Sequence, residues 1–133
     1  MNNNNDIYSV GSNMNNLLYK SLEYDNTIIE TNVFGEFINM QMVESIEISK
    51  IHIGYKNVFL IDNLNRVFVS GLNNMGQLGL NNRDNIYYYT QNDLLGNILN
   101  IYTNNNSYST YIITNDNNLY VCGSNEYGQL GLG

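Results

Sequence analysis

The chain has 133 residues and a formal net charge of −7, and 28 of its residues are Asn. Its five Lys and Arg are scattered, so it lacks the basic patch that neutralises nucleic-acid phosphates, and direct nucleic-acid binding is disfavoured. The sequence has no apolar run of about 18 residues, so no membrane-spanning helix is predicted. It also has no N-terminal basic segment followed by an apolar one, so no secretory signal is predicted. The lone Cys122 excludes an internal disulfide framework and is typical of a reducing, intracellular setting, cytoplasmic or nuclear.

Three strands are predicted in the middle of the chain, because apolar and β-branched residues cluster there. They run from Ile46 to Ile53, from Val58 to Ile61 and from Val67 to Val69. The Asn-rich turn Asp62 to Arg66 joins the last two as a hairpin, since Asn tolerates the positive φ of tight turns well. His52 lies in the first strand, where its alternating apolar neighbours indicate a strand residue rather than a base or a metal ligand.

A glycine loop, Gly71 to Leu80, follows the hairpin, and the aromatic run Ile86 to Tyr89 comes after it. We place this run in the stretch that joins one structural unit to the next. Two uses fit it: packing between units, or contact with a partner, because Tyr is large, rigid and polar at its tip. The candidate partner contacts are Tyr87, Tyr88 and Tyr89.

The same order of elements recurs in the last part of the chain. Strands are predicted at Ile98 to Thr103, Thr110 to Ile113 and Leu119 to Val121, and the turn Thr114 to Asn118 is again rich in Asn. The glycine loop Gly123 to Leu132 lies 52 residues after the first loop and is identical to it at seven of ten positions. The residues of the repeated motif are Gly71, Asn73, Gly76, Gln77, Leu78, Gly79, Gly123, Asn125, Gly128, Gln129, Leu130 and Gly131.

A structural role is predicted for this motif, because its glycines supply positive φ and its Gln amide can satisfy backbone groups. The alternative is a phosphate cradle, which requires a Gly-rich turn that opens a helix and, in one class, a Lys. The motif has no Lys, and no helix is predicted after it. His52 and Cys122 do not make a metal ligand set, and Cys122 stands where the first unit has Ser70. We therefore assign no catalytic residue, no cofactor-binding residue, no metal ligand and no cofactor.

A degenerate third copy of the repeat is predicted at the start of the chain. There, Tyr8 to Asn13 has the order Tyr-x-x-Gly-Ser-Asn, which Tyr120 to Asn125 shares. The chain is thus expected to form one partial domain, 1–133, with a degenerate remnant at 1–20 and repeat units at 21–80 and 81–133. Several strands and one glycine motif per unit of about 50 residues are typical of propeller blades. The predicted fold is all-β, with antiparallel sheets forming consecutive blades of an incomplete β-propeller.

The repeats resemble those of the regulator of chromosome condensation family. The segments VFVSGLNNMGQLGL and LYVCGSNEYGQLGLG are similar to its pattern of an aromatic strand followed by Gly-x-Asn-x-x-Gly-Gln-Leu-Gly-x-Gly. Asn65 and Asn117 stand in the place of the family's turn Gly, and Asn57 stands where the family often has His. The resemblance covers 46–80 and 97–133, and it implies a propeller whose members close with about seven blades.

The resemblance implies two kinds of function. One is a non-catalytic module for protein–protein interaction or scaffolding, since the family uses propeller faces to bind partners. The other is guanine-nucleotide exchange on a small GTPase, which the founding member performs on Ran at chromatin with one face of a whole ring. A truncated relic without independent function is a further alternative, since so few units cannot close a ring. We expect the interaction module, with a protein partner and with self-association through open blade edges.

Overall fold

The structure is a computed structural model that describes residues 8–9, 38–39 and 47–133. Within these residues the chain forms strands and no helix. The strands are β1 (Tyr8–Ser9), β2 (Ile38–Asn39), β3 (Ile48–Gly54), β4 (Asn57–Asp62), β5 (Val67–Gly71), β6 (Ile86–Gln91), β7 (Ile98–Thr103), β8 (Ser109–Thr114) and β9 (Leu119–Gly123). Most of the predicted remnant at 1–20 and the first half of the predicted unit 21–80 lie outside the described residues.

The strands form three antiparallel sheets. The first pairs β1 with β2, the second has the order β3-β4-β5-β6, and the third has the order β7-β8-β9. Each of the two larger sheets is an up-and-down meander, in which every strand pairs with the next one along the chain. The predicted all-β, antiparallel fold class is therefore confirmed, and the two larger sheets have the strand order of propeller blades.

Strand β6 was not predicted as a strand, and here the sequence interpretation was wrong. The run Ile86 to Tyr89 does not merely join two units, because it begins β6, which pairs with β5 as the fourth strand of its sheet. Between the paired positions Val69–Thr90 and Gly71–Ile86, β5 advances by two residues and β6 by four. This bulge hides the alternation of apolar and polar residues by which strands are found in a sequence. The predicted unit boundary after residue 80 thus falls inside one sheet, and the division into units stays a prediction.

The two hairpin turns have the conformation that their Asn residues favour. Asn65 has a φ of 59° and Asn117 a φ of 64°, as predicted for residues that replace a turn Gly. Both turns are closed by the same backbone bond, from Asp62 N to Arg66 O at 3.1 Å and from Thr114 N to Asn118 O at 3.0 Å. The repeat seen in the sequence is therefore also a repeat of backbone geometry.

The hydrophobic core lies between the two larger sheets. One face of the β4–β5 hairpin packs against residues of β7 and β8, and a leucine of the first glycine loop closes one end. Each such side chain, when fully buried, contributes roughly 1.5 to 3 kcal/mol, so this interface stabilises the stacking of the sheets. The buried core residues are Phe59, Ile61, Val67, Val69, Leu78, Ile98, Ile101 and Ile112.

Strands β3 and β7 also meet along one side of this interface. Lys50 Nζ donates to Leu99 O at 2.8 Å, and Thr103 Oγ1 donates to Ile53 O at 2.9 Å. His52 lies between these contacts and makes a hydrogen bond with the backbone of Ile101. Desolvation by burial, and then the charge of Lys50, hold the pKa of His52 below its ordinary value of 6.5, although the backbone bond acts in the opposite direction.

We expect this histidine to make stability fall at acid pH. Its pKa is lowered on folding, so below about pH 6.5 the unfolded chain takes up a proton more readily than the native chain. The free energy of unfolding should therefore drop between about pH 7 and the lowered pKa of His52, then level off with respect to this group. Urea unfolding at several pH values tests this. The same drop in a His52→Gln variant would show that other groups cause it.

Candidate protein-interaction surface

The first glycine loop is organised around the side chain of Asn73, which is fully buried. Its Oδ1 accepts a hydrogen bond from Leu78 N at 2.8 Å, and its Nδ2 donates to Asn82 O at 3.1 Å. Gly76 and Gly79 have φ values of 77° and 68°, which allow the chain to turn twice within this loop. The loop thus folds around one amide group.

The second glycine loop repeats these contacts. Asn125 Oδ1 accepts from Leu130 N at 2.9 Å, as Asn73 does from Leu78 N in the first loop. Gln129 Oε1 accepts from Tyr127 N at 2.9 Å, as Gln77 Oε1 accepts from Met75 N. Because these amides bond to their own loops, the contacts support a structural role for the motif, which stays a prediction.

The first loop also joins the two larger sheets. Gln77 O accepts from Thr110 Oγ1 at 2.8 Å and lies 3.5 Å from Cys122 Sγ, so β8 and β9 both reach it. On its other side, Asn92 Nδ2 donates to Leu78 O at 2.9 Å. The loop therefore holds β8 and β9 against the first of the two larger sheets, and its carbonyls at Gln77 and Leu78 accept hydrogen bonds.

Cys122 is not an activated nucleophile. Burial raises the pKa of its thiol to about 11, so the reactive thiolate is scarce at neutral pH. Within the part of the chain that the structure describes, no three His, Cys, Asp or Glu residues are placed to hold a metal ion.

The three tyrosines of β6 do not share one environment. Tyr87 and Tyr88 are 54% and 56% exposed, although consecutive residues of a regular strand point to opposite faces. The bulge in β6 explains why both reach solvent. Tyr89 is half-buried, and burial raises the pKa of its hydroxyl. Of the predicted partner contacts, Tyr87 and Tyr88 are thus both exposed, whereas Tyr89 is half-buried.

A second exposed region lies on β9 and was missed by sequence reasoning. Leu119 and Tyr120 are 62% and 55% exposed, whereas Val67 and Phe68, their counterparts in the first unit, are 0% and 6% exposed. The two pairs have the same apolar character, so no signal in the sequence distinguishes them. The difference arises because β6 lies beside β5, whereas no described strand lies beside the outer edge of β9.

No helix of residues 8–9, 38–39 and 47–133 has the length and apolar character needed to cross a membrane.

Comparison with known proteins supports the fold and the repeat. The family model of the regulator of chromosome condensation (RCC1) repeat matches residues 106–129, which contain β8, β9 and much of the second glycine loop. The crystal structure of human WBSCR16 is similar to 93% of this chain with a TM-score of 0.71 and 21% sequence identity. The chain spans only 30% of the length of that protein. No curated protein matches this chain.

The class of fold is therefore a partial β-propeller, in which the sheets β3–β6 and β7–β9 are consecutive blades. Residues 106–129 match the repeat of the regulator of chromosome condensation family, as the second glycine motif predicted.

Proposed function

We propose that this protein is a non-catalytic protein-interaction module that binds its partner through Tyr87 and Tyr88 on the outer strand of a propeller blade. The observation that carries the proposal is the exposure of both rings at a bulge of a paired strand. Exposed tyrosines contribute strongly at interfaces, because they bury a large apolar area and still offer a hydroxyl for hydrogen bonding.

The strand that carries this pair is fixed by its pairing with β5, which limits the entropy lost on binding. Ser70 Oγ donates to Ile86 O at 3.3 Å across the bulge, and Tyr89 on the same strand is half-buried. A surface that is ordered before binding loses less conformational freedom when a partner docks. With a net charge of −7, the chain attracts a basic partner at long range, so we propose a partner with a basic rim around an apolar centre.

Quantitative capture of proteins from a native extract tests this proposal. The double variant Tyr87→Ser, Tyr88→Ser is expected to lose its specific partners several-fold relative to the unmodified chain. The matched control is Leu64→Ser, which removes a side chain 69% exposed in the β4–β5 turn. Far-UV circular dichroism should be the same for all three chains. Equal capture by the double variant would contradict the proposal.

Guanine-nucleotide exchange on a small GTPase is the alternative function, and an exchange assay distinguishes it from a non-catalytic interaction module. The module is expected to leave the release of labelled GDP unchanged across a panel of small GTPases. Accelerated release by the chain would show an exchange activity and would contradict a purely non-catalytic role.

A further inference from the structure

The first strands of the two larger sheets, β3 and β7, are joined by side chains and not by strand pairing. From β3, Lys50 donates to the carbonyl of Leu99 and His52 bonds to the backbone of Ile101, two residues further along β7. Thr103 returns a side-chain bond from β7 to the backbone of β3. Alternate residues of a strand direct their backbone groups to the same side, so this row of bonds covers one edge of β7. These contacts of Lys50, His52 and Thr103 are named the β3–β7 seam.

His52 is the member of the seam that can change its charge near neutral pH. Its Nε2 is buried and has no hydrogen-bond partner among the described residues, so the bond to Ile101 is made by Nδ1. That bond raises the pKa of the ring, which identifies Nδ1–H as the donor and the carbonyl of Ile101 as the acceptor. A neutral ring leaves only a lone pair at Nε2. A protonated ring would place a buried N–H there without an acceptor, which is costly.

The groups around His52 do not compensate a positive charge on the ring. On its own strand lies Lys50, which carries the same charge. On β4, Phe59 lies directly opposite His52, and the carboxylate of that strand, Asp62, lies at its far end. Strand β7 contains no carboxylate, and its titratable side chain, Tyr102, is 52% exposed. Burial and then Lys50 therefore hold the pKa of His52 below 6.5.

We propose that His52 makes the β3–β7 seam an acid-sensitive latch, in which protonation of Nε2 turns the ring out into water and breaks its bond to Ile101. Nε2 takes the proton from solvent, and only hydrogen bonds are exchanged. The ring is half-buried, so it can reach water without the unfolding of either sheet. Phe59, opposite His52, belongs to the core between the sheets, so departure of the ring opens the rim of this core.

The sign of the effect follows from the two states of the ring. In the open state the ring is hydrated and has its ordinary pKa near 6.5, whereas in the closed state its pKa is lower. Proton uptake therefore favours the open state as the pH falls below about 6.5, and the latch closes again as the pH rises. The latch does not involve Tyr87 or Tyr88, so it goes beyond the proposed function and does not depend on it.

The thiol of Cys122 can report whether the sheets separate. It lies in their interface, 3.5 Å from Gln77 O, and it is the single cysteine of the sequence. Its rate of reaction with dipyridyl disulfide, which also reacts in acid, is measured at about pH 7 and about pH 5. Each rate is divided by that of the urea-unfolded chain at the same pH, which removes the effect of pH on the thiolate. This ratio measures how often the interface opens.

We expect the ratio to rise several-fold from the higher to the lower pH, while far-UV circular dichroism stays unchanged. In His52→Gln the ratio should be the same at both values, because the amide takes up no proton. A constant ratio in the unmodified chain, or an equal rise in His52→Gln, would overturn the inference. Loss of the circular dichroism signal in step with the rise would also overturn it, since the whole chain would then be unfolding.

Lys50→Met provides a second variant that does not alter the histidine. Removal of this charge lets His52 accept a proton more readily, so the rise in the ratio should occur at a higher pH than in the unmodified chain. The matched control is Lys56→Met, because the ammonium of Lys56 lies 5.1 Å from the ring centroid of Tyr55 and outside the seam. It should leave the midpoint unchanged. The same midpoint in all three chains would contradict the latch.

Discussion

Replacing Gly123 with Ala is expected to destabilise the protein by about 3 to 5 kcal/mol. Gly123 has a φ of 105°, a conformation that side chains rarely adopt. A Cβ atom there would lie 2.0 Å from Tyr108 O and 2.9 Å from Ser109 Cα. Both are backbone atoms, so no side-chain rotation relieves the overlap. Ser124 N also donates to Tyr108 O at 2.9 Å, so any shift of Tyr108 costs a hydrogen bond as well.

Gly128→Ala is the matched control for this prediction. Gly128 has a φ of 72°, but a Cβ there would meet no atom within 4 Å. Its substitution should therefore cost only the conformational strain, about 1 to 2 kcal/mol. Urea unfolding followed by circular dichroism measures both variants. Equal losses would show that backbone conformation, and not the contact with Tyr108, sets the requirement for Gly123.

The sequence predicted most strands because their residues follow simple rules. Strand β7 runs from Ile98 to Thr103 as predicted, since its apolar and β-branched residues form one short run bounded by polar ones. The turns at Asn65 and Asn117 were predicted from the tolerance of Asn for positive φ. Local preference and global fold agree at these positions, so reasoning from local patterns succeeds.

Strand β6 was not predicted because its pairing with β5, rather than a pattern in its own sequence, makes it a strand. Tyr87 and Tyr88 are both exposed beside the bulge, so the strand lacks the alternation of a half-buried strand. The role of Tyr87 and Tyr88 as partner contacts stays a prediction, and the sequence did not indicate the bulge beside which both rings are exposed.

The exposure of β9 could not be predicted for a different reason. Leu119 and Tyr120 have the same apolar pattern as Val67 and Phe68, and only the presence of a further strand and blade decides whether the pair is buried. Burial in a propeller depends on the neighbouring unit, because each blade supplies one half of each interface. A repeat sequence therefore predicts each unit better than the surfaces between units.

Replacing Asn73 with Ala is expected to cost about 2 to 4 kcal/mol of unfolding free energy. The change removes the acceptor of Leu78 N and the donor to Asn82 O, and it leaves the buried N–H of Leu78 without its partner. Leu78 belongs to the core between the blades, so the loop cannot open toward water without also exposing this side chain. Urea unfolding of the variant measures the loss.

The second unit of the chain offers the matched control for Asn73. Asn125 makes the same hydrogen bond, to Leu130 N at 2.9 Å, but its side chain and its loop are partly exposed. Water can replace the lost acceptor there, so Asn125→Ala should cost about 1 kcal/mol. Two residues at one repeat position would then differ in their energetic effect through burial and through the additional hydrogen bond from Asn73 Nδ2 to Asn82 O. If the losses are equal, the hydrogen bond itself, and not the covering blade, determines the stability of the glycine loop.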